Sequence, residues 1–512
     1  MKRTPILAAA ACAGLVPGCS KPAEAPKPNI IYLMFDDLGY GDLGCYGQEK
    51  IETPNIDALA ARGILFTDMY SEAPLSSPSR CCIMTGMHSG HAQIRANEEH
   101  YVPVDERGWN GLFADSEMQG QYPMAAGTPT IAKMMKEAGY RTAMVGKWGL
   151  GYPSSESTPE KMGFDYFYGF NCQALAHSYY PEKLWENGVE LPTGNDPVMQ
   201  GEKLPEGLDP YDIGSYDRYT GKYYSCDLMY DKLEKFVVDN ADGPFFAMWT
   251  TTVPHSAVQA PLDEVMYYVN KLGDEEPVTD PGMYLPNRYP HATYAAMVTH
   301  MDTQVGRLVG KLKELGIWDN TIFIVTSDNG PACNGNSPME YFQSGGPFKC
   351  GKGWGKSSLH EGGIRMPFVL AWGDRLKPTV SSHVSCFADL MPTFADLAGV
   401  VAPENDGISF APTIYGKPRR QAEHESLYWE FPGAKGWVAV RIGEWKGIVQ
   451  KVQKGNNRME LFNLSEDPQE STDLAAEHPE IIEKMWQVVK ENHVDLPDSA
   501  PDVYKLKINC PE

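Results

Sequence analysis

The chain has 512 residues, with 67 acidic against 44 basic side chains and a formal net charge of −23. That balance excludes nucleic acid as the principal partner, because a phosphate backbone wants a basic surface, yet it leaves room for a local basic pocket that takes a small anion. With 42% hydrophobic and 22% charged residues the chain can fill a large core and is not mainly disordered; at about 150 residues per domain it suits three or four domains, or one large α/β domain with an appendage.

The first residues read as an address. Met1-Lys2-Arg3 is followed by a small, apolar run at 5–17 (PILAAAACAGLVP), too short to span a bilayer as a mature helix. It leads into Val16-Pro17-Gly18-Cys19, which resembles a bacterial lipoprotein box and implies cleavage before Cys19 with lipid on its thiol; an ordinary secretory signal is the simpler alternative. Residues 20–28 (SKPAEAPKP) read as a Pro-rich tether. Either way the mature protein is exported, to the periplasm or the outer-membrane or cell surface, and meets a membrane only through its lipid. Export permits disulfides. Setting aside Cys12 and Cys19 leaves nine of the eleven cysteines, an odd number, and no CxxC pair supports a zinc ribbon.

From residue 29 short apolar runs alternate with amphipathic stretches, the texture of an α/β sheet. Strands are expected at 29–35 (NIIYLMF), 141–145 (RTAMV), 245–250 (FFAMWT), 321–326 (TIFIVT) and 367–372 (PFVLAW). Continuous apolar strands of this kind are buried on both faces, as in a mostly parallel sheet sandwiched by helices. Helices are expected at 130–137, stopped by Gly139, and at 291–315, where Ala295, Val298, Met301, Val305, Leu308 and Leu312 recur at helical spacing. After about residue 415, short strands at 437–442, 445–449 and 459–462 with tight turns predict a small antiparallel sheet, closed by a helix at 479–492. The expected organisation is a signal peptide at 1–18, a lipid-anchored linker at 19–28, a large α/β domain at 29–415 and a C-terminal subdomain at 416–512.

Strand 29–35 ends in Asp36-Asp37, and strand 321–326 runs into Asp328-Asn329-Gly330. Sites in open α/β sheets gather beyond the carboxyl ends of strands. Three carboxylates and an amide carbonyl brought together there make an all-oxygen set suited to a hard cation, Ca2+ or Mg2+. Either pair alone reads as an ordinary loop cap, since Asp and Asn favour such positions.

Between the two pairs lies Ser76-Ser77-Pro78-Ser79-Arg80, followed by Thr85-Gly86. Ser76-x-Pro78-Ser79-Arg80 resembles the signature of type I sulfatases, members of the alkaline phosphatase superfamily. In that family the leading Cys or Ser becomes formylglycine, whose hydrated gem-diol attacks sulfur. By match that position is Ser76, not Cys81 or Cys82. Gly146-Lys147-Trp148-Gly149-Leu150-Gly151, Pro254-His255, Lys356 with Glu361-Gly362-Gly363-Ile364-Arg365, Asp406-Gly407 and Glu460-Leu461-Phe462 resemble further family landmarks, in order from about 29 to 475. The resemblance implies Asp36, Asp37, Ser76, Asp328 and Asn329 as metal ligands, and Ser76, Arg80, Lys147, His255 and Lys356 as catalytic. His177, Lys147, His255 and Lys356 are the expected substrate-binding residues. A Ser-type member further implies an anaerobic, radical maturation enzyme acting before export.

A sulfate monoester is anionic and needs cationic contacts, and its departing alcohol needs a proton from a Lys or His. Arg80 would hold the diol and its loop, and a helix expected to begin near Ser79 would point amides at the anion. One departure stands out: many family members have His where this chain has Gly149. A stand-in is expected from His177 or, beside the EGG segment, His360. Two other readings stay open: a phosphomonoester or phosphodiester hydrolase using unmodified Ser76, and a degenerate, lipid-tethered protein that only binds sulfated polysaccharide. The expected substrate is a sulfated glycan or aryl sulfate, with Trp109, Tyr179, Tyr180, Trp185, Trp354 and Trp429 in loops where rings could stack on sugars. The stretches 98–127 and 171–225 read as long, cleft-shaping insertions.

Overall fold

The continuous apolar runs become the middle of a large sheet. A computed structural model describes residues 26–99, 119–333 and 338–511; the expectations about the signal segment, Cys19 and Trp109 lie outside them. The sheet has eleven strands: β1 (Asn29–Asp36), β2 (Ile64–Tyr70), β3 (Arg141–Lys147), β4 (Tyr166–Phe170), β5 (Lys183–Glu186), β6 (Val189–Pro192), β7 (Phe245–Pro254), β8 (Thr321–Ser327), β9 (Arg365–Trp372), β10 (Thr379–Ser381) and β11 (Ser385–Cys386). Their spatial order is β10-β2-β9-β8-β1-β7-β3-β4-β5-β6, with β11 paired to β2. The centre, β8-β1-β7-β3-β4, is parallel, while β9 runs antiparallel between β8 and β2. Every residue of β1 is buried. Its alternate side chains feed two cores: Ile31, Leu33 and Phe35 on one face, Ile30, Tyr32 and Met34 on the other.

Helices cover both faces. Those used below are α1 (Ser76–Thr85), α2 (Ile131–Glu137), α3 (Ser225–Asp239), α4 (Pro290–Glu314), α5 (Leu390–Ala398) and α6 (Pro479–Asn492). Residues of α3 and α4 join the first core; residues of α1, α2 and α5 join the second. Thr130 caps α2 by accepting a hydrogen bond from the Lys133 N–H, as a Thr at that position should. The stretch 171–225 is not simply loop, because β5 and β6 form a hairpin that extends the sheet edge.

The expected small sheet is present as β12 (Leu427–Phe431), β13 (Trp437–Ile442), β14 (Trp445–Gln450) and β15 (Glu460–Asn463), antiparallel in that order. One of its faces shares a core with the large sheet, where Trp429, Trp437 and Ile448 meet Tyr70, Ile364 and Cys386. Its other face carries Val438 and Val449 against Met485 and Val489 of α6. All nine cysteines among the described residues are free thiols, and no described helix is long and apolar enough to cross a membrane.

Candidate active site

Two strand ends set the anionic half of the pocket. Successive strand residues point to opposite faces, so two neighbouring aspartates can serve one pocket only if the chain turns between them. Asp37 does this with φ +68°, a left-handed conformation that Asp tolerates better than most residues. The Asp37 N–H donates to Asp328 Oδ1 (3.2 Å), and Asn329 Nδ2 donates to Asp37 Oδ1 (2.7 Å). Asp36, Asp37, Asp328 and Asn329 are all buried.

Ser76 is the first residue of α1, not one lying ahead of a helix that begins near Ser79. Pro78 is tolerated because N–H groups in the first turn have no intrahelical acceptor. Gly86 ends the helix at φ +70°, where a Cβ would lie 2.7 Å from Met391 Cβ. Ser76 Oγ donates to Asp36 Oδ1 (2.9 Å) and lies 3.4 Å from Asn329 Oδ1. Arg80, one turn on, reaches Asp328 Oδ2 through Nη2 (2.9 Å) and Nε (3.2 Å), and the Lys147 carbonyl through Nη1 (2.8 Å).

Two lysines and a histidine close the ring. Strand β3 extends two residues beyond its apolar run and carries buried Lys147, whose Nζ is 2.5 Å from Asp36 Oδ2. Lys356 Nζ lies 2.7 Å from Asp37 Oδ1 with its side chain 12% exposed, so it stands nearest the solvent. His255, just past the end of β7, is 3.6 Å from Asp37 Oδ2; its Nδ1–H donates to Ser256 O (2.5 Å) and leaves the Nε2 lone pair toward the pocket.

Burial opposes every charge here, and the partners decide the outcome. Burial pushes Asp36 up, but Lys147, His255, Arg80 and Lys356 together hold it well below the usual carboxylate range. Burial and the charge of Asp36 push Asp328 up to about 6, and Asp37 rises for the same two reasons against the pull of Lys356. Burial and then Lys356 press His255 down to about 3, so it is neutral at neutral pH. Burial alone would lower Lys356, but Asp37 and Asp36 raise it above its ordinary value. Three carboxylates thus face three cations, and a buried divalent ion would leave the pocket with the positive charge an anionic ester needs. Asp36, Asp37 and His255 also come within metal-binding reach of one another, but a hard cation prefers the oxygen set with Asp328 and Asn329.

The structure brings Asp36, Asp37, Ser76, Arg80, Lys147, His255, Asp328, Asn329 and Lys356 together. The stand-in expected at Gly149 is corrected. Gly149 has φ +74°, and a Cβ there would lie 2.7 Å from the Nε2 of Gln173. Gln173 fills that space, donating to Ser77 Oγ, which in turn donates to Gly149 O (3.0 Å). Asn97 Oδ1 accepts the Ser77 N–H (2.9 Å). His177 instead stacks on His255, with ring centres 4.9 Å apart, and against Tyr284. His360 instead packs on Trp354, Trp437 and Phe462, with Nδ1 3.2 Å from Glu470.

Three aromatic residues expected as sugar platforms in loops are corrected too: Trp185 and Trp429 lie within β5 and β12, and buried Tyr179 donates its hydroxyl to the carbonyls of Thr252 and His255 (2.9 Å), bracing the end of β7. The EGG segment belongs to a seam rather than the pocket. Glu361 Oε1 meets Lys446 Nζ at 2.7 Å, and Glu361 Oε2 accepts from Arg365 (2.8 Å) and Tyr70 (2.7 Å).

Comparison with known proteins points to one family. The Sulfatase family model matches residues 28–400, and the N-sulphoglucosamine sulphohydrolase C-terminal model matches 352–495. The N-acetylgalactosamine-6-O-sulfatase of Bacteroides thetaiotaomicron is 28% identical, over 93% of this chain and 96% of its own length. Human arylsulfatase A is 28% identical over 91% and 88%. Among solved structures, Ps i-CgsB superposes with a TM-score of 0.70 at 26% identity, covering 91% of this chain and 94% of its own; it has also been solved in complex with k-i-k-neocarrahexaose.

Proposed function

Because the chain belongs to the sulfatase family, we propose that it hydrolyses sulfate monoesters on a carbohydrate, with residue 76 supplying the nucleophile. The observation that carries this reading is the convergence of Ser76 Oγ with three buried carboxylates, Asn329 and the cations Arg80, Lys147 and Lys356 in one pocket. Asp36, Asp37, Asp328 and Asn329 would hold a Ca2+ or Mg2+ ion, which when bound polarises the sulfate oxygens. Formylglycine made from Ser76 supplies, as its hydrate, the oxygen that attacks sulfur.

The chain's own residues do the rest. Arg80, fixed by Asp328 and the Lys147 carbonyl, holds the start of α1 in place. Lys147 and Lys356 bind the sulfate oxygens, and preorganised charges of this kind are usually the largest catalytic term. Neutral His255 takes up a proton at Nε2, and Lys356, an ammonium near the pocket mouth, hands one from Nζ to the departing alcohol. His177 lies on the His255 ring and limits the water around it.

The reading includes maturation of Ser76 by an anaerobic radical enzyme before export, a lipid on Cys19, a periplasmic or cell-surface location, and a catalytic domain over 29–415 with a C-terminal subdomain over 416–512. Relatives named for N-acetylgalactosamine-6-sulfate and for aryl sulfates support the substrate class. The test is a panel of sulfated oligosaccharides assayed by freed sulfate, parent against Ser76→Ala, with mass spectrometry of the peptide holding residue 76. Formylglycine shows as a loss of two hydrogens from Ser. Equal turnover by Ser76→Ala would remove the enzymatic reading, and full activity with intact Ser76 would favour a phosphatase-like nucleophile.

A further inference from the structure

Away from the catalytic pocket, a second set of ligand-type side chains meets where the loop before α1 crosses β11 and the segment entering β12. It contains Glu72, Cys386, Asp389 and His424. His424 Nε2 lies 2.8 Å from Asp389 Oδ1, Cys386 Sγ lies 3.6 Å from Asp389 Oδ1 and 4.0 Å from His424 Nε2, and one ligand atom from each of the three falls within 4.8 Å of the others. Glu72 hydrogen-bonds the Cys386 thiol and accepts from the Ala388 N–H at 3.4 Å. Glu72 and Cys386 are 2% exposed and Asp389 is 0% exposed. Among the described residues no Lys or Arg pairs with either carboxylate, and His424 is the one ion-pair partner of Asp389. Glu72 thus has no cationic partner and Asp389 has only this histidine, and a buried carboxylate short of positive charge is costly unless something else supplies it.

We infer that Cys386, Asp389 and His424 form a structural Zn2+ site, with Glu72 turning in from beside the Cys386 thiol as the fourth ligand. The mixture decides the metal: thiolate and imidazole suit zinc, whereas the all-oxygen pocket at Asp36 suits a hard ion, so the two sites sort two metals. Tetrahedral zinc with bonds of about 2.0–2.3 Å places ligand atoms roughly 3.3–3.6 Å apart. The Sγ–Oδ1 distance already matches, the His424–Asp389 contact opens by about half an ångström, and the Sγ–Nε2 distance closes by a similar amount. The outer shell is in place, because Asp389 also accepts from the backbone N–H groups of Cys386 (2.9 Å) and Ile408 (2.7 Å), which is how supporting groups orient ligands. A cavity of about 160 Å3 lined by His383, Val384, His424 and Arg441 gives access, and His383 Nε2 is buried with no protein partner. Binding forms Zn–S, Zn–N and Zn–O bonds, breaks the Cys386 S–H bond and the His424 Nε2–H bond that faces Asp389, and releases both protons to water, with no change of oxidation state. The ion ties the loop four residues ahead of Ser76 to the strand that opens the small sheet.

Cobalt tests this without reference to turnover. The full-length protein, stripped with chelator and refilled with excess Ca2+, is titrated with Co2+. A thiolate-to-cobalt charge-transfer band saturating at one equivalent, and bleached by Zn2+, is expected. Cys386→Ser should abolish the band, His424→Gln should weaken Co2+ binding at least tenfold, and elemental analysis should find one zinc per chain in the parent and none in Cys386→Ser. A folded parent with no band, or a band that survives Cys386→Ser, overturns the proposal. Should Cys386→Ser fail to fold, the parent titration and His424→Gln decide it.

Discussion

Replacing Lys446 with Met perturbs the seam between the two sheets. Lys446 is fully buried on β14, with Nζ 2.7 Å from Glu361 Oε1 and 3.1 Å from Glu470 Oε1. Drying an ammonium cancels much of its attraction to the carboxylates, so the cost of the substitution is that of stranding two buried anions. Breaking one partner from such a cluster costs about 3–5 kcal/mol. Glu361 keeps Arg365 at 2.8 Å and the Tyr70 hydroxyl, which puts the expectation at the low end, about 3 kcal/mol, or roughly a hundredfold in an opening equilibrium. Because the cost falls on contacts between β14 and the EGG segment, it should open the small sheet before the large one. Hydrogen exchange read by mass spectrometry resolves this: amides of β13–β15 should exchange about a hundred times faster in Lys446→Met while those of β1 and β8 stay unchanged. Acceleration below about threefold, or equal acceleration in both sheets, would refute the seam as a dry electrostatic joint.

Three further outcomes are expected. Gly149→His should lose most activity, since the new side chain meets Gln173 and a non-Gly residue at φ +74° is strained by about 1 kcal/mol; adding Gln173→Gly should recover kcat/KM in part, and no recovery would show that the two positions do not share one space. His300, held between Glu264 (2.8 Å) and Asp227 (3.0 Å), is lowered by burial but raised further by these carboxylates, to about 9. A raised folded-state pKa gives stability that is complete below about pH 6.5 and fades as pH climbs through about 9. His300→Gln should therefore cost on the order of 2 kcal/mol at pH 6, after allowance for the half-exposed Asp227, and little at pH 10; denaturant midpoints that differ equally at both pH values would contradict it. Chelation should abolish sulfate release and Ca2+ or Mg2+ should restore it, whereas turnover unaffected by chelator would exclude the metal at Asp36, Asp37, Asp328 and Asn329.

The site was legible wherever chemistry sat next to a strong periodic signal. Strands β1 and β8 are unbroken apolar runs, so Asp36-Asp37 and Asp328-Asn329 could be read as meeting at their carboxyl ends. The small sheet announced itself through short strands and tight turns. Gln173 was not legible: it acts on Ser77 and Gly149 across a large sequence separation, and no local pattern marks an amide for that contact. The rings of Trp185, Trp429 and Tyr179 misled because aromatic residues in polar, Gly/Pro-rich surroundings resemble loop residues, while cross-strand packing had placed Trp185 and Trp429 in β5 and β12 and burial had claimed Tyr179. Helix α1 began earlier than expected because a proline inside the first turn looks like a stop until its missing N–H is seen to matter little there.

Every residue of α1 is buried, Ser76 included, with no measurable exposure. On the proposed maturation, a tailoring enzyme would have to reach that carbon before the large sheet closed over it. The oxidation would then run a race against folding, and a polypeptide that collapsed first would be locked as an unreacted alcohol until it unfolded again. The specific activity of any preparation should then report how long the nascent chain stayed open in its producer, more than how much protein was made.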